Sequence, residues 1–282
     1  LSVSLLISII LSSVYLFRGG YKSYLFTDVF QFFVMFAGFI IIVAASFIKF
    51  GGFNYLSGNL PEQHLELSGG NSPAFIIVWF LIALWTFTDP GFHQRCYAAK
   101  DGSVAKKGII ISVFFWMLFD FLTTTTGLFS RAVLPGLKNP VLSFPLYAEN
   151  VLGSGLKGLF YAAMFATILS TLNSFFFLSA TTLGKDFIEK NVKNKASVNV
   201  TLYTRIGLVI SAVISYILCL FFNSVVELWY TIGSICIPGI IFLVAGAYYK
   251  KLKVSGKTAV AEIIIGAGFS VIWFFVRDEI TT

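Results

Sequence analysis

Eight apolar runs dominate this chain, at 1–17, 24–48, 73–97, 107–131, 155–182, 200–222, 225–249 and 258–276. A bilayer core about 30 Å thick is crossed by about 20 apolar residues wound as a helix. All eight runs reach or approach that length, the first being short enough to be a truncated span. A β-barrel would instead need strands of about ten residues alternating apolar and polar, and stretches such as Phe36 to Phe50 and Gly108 to Phe119 do not alternate. Lipid offers no partner for unpaired backbone, so helices are the remaining way to span it. The fold class expected is therefore an all-α polytopic membrane protein with about eight transmembrane helices.

Composition agrees. Hydrophobic residues make up 57% of the 282 and charged ones only 12%, about half the charge of a soluble domain. A cytosolic enzyme is excluded, and 32 Phe, 12 Tyr and 5 Trp exclude disorder. Three cysteines form no disulfide framework and no metal-ligand spacing. The net charge of +7 would suggest nucleic acid in a soluble protein. Here its placement matters more, and no nucleic-acid partner is expected. The chain opens on Leu1 inside an apolar run and stops soon after another, so a piece of a longer polytopic protein is expected.

Basic residues orient the spans, because cytoplasmic loops carry the excess of Lys and Arg. Alternate connections hold Arg18 and Lys22; Arg95, Lys100, Lys106 and Lys107; Lys185, Lys190, Lys193, Lys195 and Arg205; and Lys250, Lys251, Lys253 and Lys257. That is 15 of the 20 basic residues, and one wrong helix count would scramble the split. These loops are expected to be cytoplasmic, in a cell membrane, with loops 49–72 and 132–154 outside.

Three interruptions of the apolar pattern are candidate functional positions. Thr27-Asp28-Val29-Phe30-Gln31 opens the second span with an acid, which at the centre of a membrane helix costs about 2.5–3.5 kcal/mol. Asp28 either faces a cavity or partner or lies close enough to the interface to be solvated. In the third span, Thr88-Asp89-Pro90-Gly91 combines a residue lacking an N–H with one that relaxes the backbone. A helix break lining a cavity and an ordinary proline kink both fit. His93 reads as interfacial and Arg95 as a cytoplasmic anchor. The fifth span carries Thr167, Ser170, Thr171, Asn173 and Ser174. Ser170 and Ser174 share a helix face. Hydroxyls and one amide suit a hard alkali cation, and small polar residues also let membrane helices pack closely. An intramembrane enzyme would need paired acids or a histidine cluster, and the chain has two histidines, His64 and His93. No enzyme activity is expected.

The chain resembles the sodium:solute symporter family. The residues that carry this are Gly19-Gly20 followed by Thr27-Asp28 and Gln31, then Gln94-Arg95 with Ala98-Ala99-Lys100-Asp101. The longest match is Gly155-Leu156-Lys157-Gly158-Leu159, followed by Ala162-Ala163, Ser170-Thr171, Asn173-Ser174 and Lys185-Asp186. The resemblance implies the inverted-repeat fold shared with neurotransmitter:sodium symporters. Residues 1–48 would be the last two helices of the first five-helix repeat, 49–72 an outer loop and 73–249 the complete second repeat. A flanking helix at 258–276 and the end 277–282 would follow.

The same resemblance implies a sodium-coupled secondary active transporter of a small organic solute, with Na+ as coupling ion and no organic cofactor. It places Ser170, Thr171 and the carbonyl of Thr167 at the family's common sodium site, where threonine at 171 keeps the oxygen of the usual serine. A second sodium site would use Asp28, Asn173 and Ser174. Solute contacts are assigned by placement to Trp85, Thr86, Asp89, Tyr230 and Ser234. Ile82 to Thr86 does not match the polar and aromatic set of the sugar-binding members. A proton-coupled symporter on the same fold, or a transporter-like sensor domain fused to a cytoplasmic module, are the alternative readings.

Overall fold

The computed structural model describes residues 2–189, 191, 199–221 and 225–280. Lys190, Lys193 and Lys195 of the basic loops lie outside the described residues, as do Leu1, Phe222, Thr281 and Thr282 at the edges of expected segments. The first six helices are α1 (Ser2–Phe50), α2 (Phe53–Asn59), α3 (Pro73–Ile82), α4 (Trp85–Thr88), α5 (Pro90–Ala98) and α6 (Gly102–Val133). They are followed by α7 (Ser143–Val151), α8 (Ser154–Thr181), α9 (Val200–Phe221), α10 (Val225–Tyr248) and α11 (Gly256–Ile280). No strand occurs among the described residues.

Six helices among the described residues are long and apolar enough to cross a membrane, and the bent pair Pro73–Thr88 and Pro90–Ala98 makes seven. Residues 2–17 of the run expected at 1–17 are helical but are not among these seven. They run into the second span across a single residue, Gly20, at φ 56 and ψ −152. The loop expected around Arg18 and Lys22 is thus reduced to one left-handed position, which glycine adopts without a Cβ penalty. Phe17, one turn before the break, has its carbonyl held by Arg205 Nε at 3.1 Å.

Contacts divide the chain into two compact units, Leu1–Gly70 with Ala99–Tyr216, and Asn71–Ala98 with Ile217–Thr282. In the first, α1 and α8 run antiparallel. Tyr24 meets Ser174 and Asp28 meets Ser170, while Gly38 lies against Ala163 and Phe160. A Cβ on Gly38 would stand 2.3 Å from Ala163 Cβ, so the two backbones approach as closely as small residues allow. Lipid tails are as apolar as leucine, so such close packing, not apolar burial, holds membrane helices together. Above this contact Phe36, Phe39, Ile42, Phe129, Tyr147 and Phe160 form the larger core. Leu16, Tyr24, Phe176, Ala180 and Leu208 form a second core below it. The opposite face of α1 presents exposed Phe26, Phe30 and Phe33.

The short helix α7 is fastened to both long helices. Its Tyr147 is fully buried and shares a hydrogen bond with Ser46 of α1 at 2.5 Å. Burial pushes this phenol from its ordinary 10.0 up to about 12. Glu149 pairs with Lys157 at 2.5 Å and accepts a bond from Tyr161; these two partners hold its carboxyl below the usual range.

In the second unit α10 packs on α3, α4 and α11. The α10–α11 crossing rests on paired glycines, since a Cβ on Gly266 would stand 2.8 Å from Gly239 Cα. Pro238 lies inside α10 next to this crossing.

Candidate functional site

Candidate residues fall into one group in each unit. In the first, Ser170 Oγ donates to Asp28 Oδ1 at 2.8 Å, and one turn away Tyr24 OH donates to Ser174 Oγ at 3.2 Å. Tyr24, Asp28 and Gln31 fall on one face of α1 by their three- and four-residue spacing. The structure therefore joins Asp28, expected at the second ion site, to Ser170, expected at the common one. Thr167 Oγ1 donates to Ala163 O at 2.9 Å, and Thr171 Oγ1 donates to Thr167 O at 3.1 Å. Thr171 is exposed, and its hydroxyl oxygen keeps acceptor capacity.

Asn173 is the unusual member. It is fully buried, yet neither Oδ1 nor Nδ2 has a partner; Gln31 Oε1 is buried and unpartnered as well. An unsatisfied buried polar atom costs about 1–3 kcal/mol, so oxygens left open one turn from Ser170 and from Asp28 call for an ion or water to fill them. One carboxylate bonded to a hydroxyl, with an amide oxygen one turn along each helix, is a donor set that fits a hard cation better than a soft metal. No group of three His, Cys, Asp or Glu residues able to hold a metal occurs among the described residues. Tyr24 escaped the sequence reading, although its position one turn before Asp28 was legible.

In the second unit the third span is broken, not merely kinked. Hydrogen bonds shorten to three-residue steps at Leu84, Thr86 and Phe87. Asp89 is extended at φ −68 and ψ 114, and the axes on either side differ by 42°. The local chemistry explains why. Pro90 has no N–H to offer the carbonyl of Thr86, and Asp89 starts a new helix as its cap, with proline in the first position. Asp89 is buried; Oδ1 accepts from Gly91 N at 2.6 Å and Oδ2 from Trp85 Nε1 at 3.2 Å. A Cβ on Gly91 would stand 2.9 Å from Asp89 Oδ1, so a larger residue there would push the capping carboxylate aside.

The remaining candidates lie on α4 and α10, which pack together. Trp85 lies 3.8 Å from where a Cβ on Gly233 would stand, beside Ser234, and Tyr230 one turn earlier meets Trp79 with ring centroids 6.2 Å apart. Thr86 is half-buried. Arg95 Nη1 donates to Gly91 O at 3.3 Å. His93, read from sequence as interfacial, uses both ring nitrogens, Nε2 with Phe87 O at 2.9 Å and Nδ1 with Tyr248 OH at 3.1 Å.

Comparison with known proteins matches residues 1–266 to the model of the sodium:solute symporter family. The sodium/pantothenate symporter of Escherichia coli (strain K12) is 28% identical over 266 residues, covering 90% of this chain and 54% of that protein. The osmoregulated proline transporter OpuE of Bacillus subtilis (strain 168) is 26% identical over 275 residues, 92% of this chain and 54% of that protein. The sodium/glucose cotransporter 1 of Oryctolagus cuniculus is 24% identical over 246 residues, 69% of this chain and 36% of that protein. The chain thus spans about half the length of the bacterial relatives, or less in the last case.

Proposed function

The chain belongs to the sodium:solute symporter family, and on that basis we propose that it is part of a sodium-coupled symporter carrying a small organic solute by alternating access. Sodium is the coupling ion. Each co-transported charge gains about 2.3 kcal/mol per 100 mV of membrane potential, which drives solute uptake. Ser170, Thr171 and the carbonyl of Thr167 contribute to the common sodium site, and Asp28, Asn173 and Ser174 to a second. Trp85, Thr86, Tyr230 and Ser234 line the solute site at the broken helix. Asp89 joins them by exchanging one of its two internal hydrogen bonds for the solute. The basic loops lie on the cytoplasmic side of the cell membrane. Residues 1–48 close the first repeat, 73–249 make the second, and 258–276 flank them.

The observation that carries this reading is the Asp28–Ser170 hydrogen bond beside the unpartnered amide of buried Asn173. An acid brought to a hydroxyl stripe between two membrane helices is costly unless it serves a charge. The test uses the full-length protein in proteoliposomes, with labelled pantothenate and labelled proline as probes and sodium titrated outside. Uptake should depend on sodium, and Ser170→Ala should raise half-saturating sodium roughly five- to a hundredfold, from about 1–3 kcal/mol per lost oxygen. Unchanged half-saturation in both Ser170→Ala and Thr171→Ala would reduce the stripe to helix packing and remove the sodium assignment.

A further inference from the structure

We propose that His93 is a positioning residue that clasps the broken helix to the end of α10, so that the break and α10 move as one piece. The proposal rests on the symport reading above for its consequence, and on hydrogen bonds alone for its geometry.

A break leaves carbonyls without donors. In an unbroken helix Phe87 O would accept from Gly91 N, but that N–H is taken by Asp89 Oδ1 at 2.6 Å. His93 Nε2 fills the place at 2.9 Å. A carbonyl only accepts, so Nε2 carries a proton; in that tautomer Nδ1 accepts, and the Tyr248 hydroxyl donates to it at 3.1 Å. The two rings lie 6.2 Å apart and inclined by 30°. One imidazole therefore holds the segment before the break, from its own place after the break, and holds α10 as well.

The second attachment lies at the other end of α10. Tyr230 meets Trp79 and Gly233 meets Trp85, fifteen to eighteen residues before Tyr248, or about 25 Å along a helix. Two attachments that far apart stop α5 from pivoting at Asp89 relative to α10. They hold Trp85, Tyr230 and Ser234 in one arrangement while the unit moves. Without the clasp, the extended residue Asp89 is a hinge with one side free.

Amide hydrogen exchange of the purified full-length transporter tests this. Tyr248→Phe changes no atom of the broken helix, yet it should speed exchange at amides 86–92 about two- to tenfold, the worth of one hydrogen bond. His93→Leu should do so at least as much, and the double variant should be no faster than His93→Leu alone. In uptake of labelled pantothenate or proline, whichever the wild type carries, both variants should raise half-saturating solute while leaving the maximal rate per transporter unchanged. A role confined to folding would lower the amount of protein and leave half-saturation where it was. Unchanged exchange at 86–92 in both single variants overturns the clasp. Wild-type uptake indifferent to sodium overturns the symport reading instead, and the exchange result still decides the clasp.

Discussion

The Ser170 hydroxyl and the Asp28 carboxylate, 142 residues apart in the chain, meet at 2.8 Å across the antiparallel pair α1 and α8. This contact ties the acid of one membrane helix to the hydroxyl stripe of another. Both side chains are half-buried, where a charge-assisted bond contributes more than it would in water.

The pair should behave as a unit in a double-mutant cycle. Ser170→Ala and Asp28→Asn should each raise half-saturating sodium in the full-length protein, and the double variant should cost less than the sum. A coupling of about 0.5–3 kcal/mol is the range for residues in contact. Thr171→Ser, which keeps its oxygen, should be nearly silent. Additive effects of the two single variants would show that they act on sodium separately.

Gly38 and Ala163 should trade places. Gly38→Ala puts a methyl 2.3 Å from Ala163 Cβ, and neither atom can swing aside, so the helices must part at a cost of about 1–3 kcal/mol. Ala163→Gly in the same chain removes the obstacle, and the next neighbour, Phe160 Cα, lies at an ordinary 3.5 Å. Thermal unfolding in detergent should fall for Gly38→Ala and recover in the double variant.

Asp89 has a structural duty that can be separated from any solute contact. Asp89→Ala deletes the acceptors of Gly91 N and Trp85 Nε1 and should cost about 0.5–2 kcal/mol as a lost helix cap. Asp89→Asn keeps a carbonyl oxygen for Gly91 but turns an NH2 toward Trp85 Nε1, so its melting temperature should fall less than that of Asp89→Ala. A rise in half-saturating solute in the Asn variant that exceeds its loss of stability would then report on Asp89 and the Trp85 it holds at the solute site.

Tyr147 links stability to alkaline pH. Its folded pKa, about 12, lies above the ordinary 10.0, so the neutral phenol is favoured by folding. The stabilisation is fully present below pH 10 and is lost as pH rises through 12. Tyr147→Phe removes the bond to Ser46 at a cost of about 1 kcal/mol and should flatten the fall of unfolding temperature between pH 10 and 12. Spectrophotometric titration should show one tyrosine fewer ionising late.

Topology is checked by cysteine labelling in intact cells, in a chain lacking Cys96, Cys219 and Cys236. A thiol at Ser68 should react with an impermeant reagent from outside, and one at Ser103 should not. Labelling at Ser103 would reverse the assignment of the basic loops.

Hydropathy read along the chain was enough to locate seven of the eight expected spans, because about 20 consecutive apolar residues meet the bilayer's thickness without help from any other segment. Asp89-Pro90-Gly91 announced its break for an equally local reason: a missing N–H and a short capping acid act within one turn. The single-residue joint at Gly20 was less legible. Its positive φ was available to the glycine, but Gly19-Gly20 with Arg18 and Lys22 reads equally as a short loop. No local pattern paired Asp28 with Ser170, set Gly38 against Ala163 or gave the Phe87 carbonyl to His93. Those contacts depend on which faces of distant helices meet and in what register. A membrane interior offers no hydrophobic gradient to impose that choice, so close backbone packing and scarce polar partners settle it.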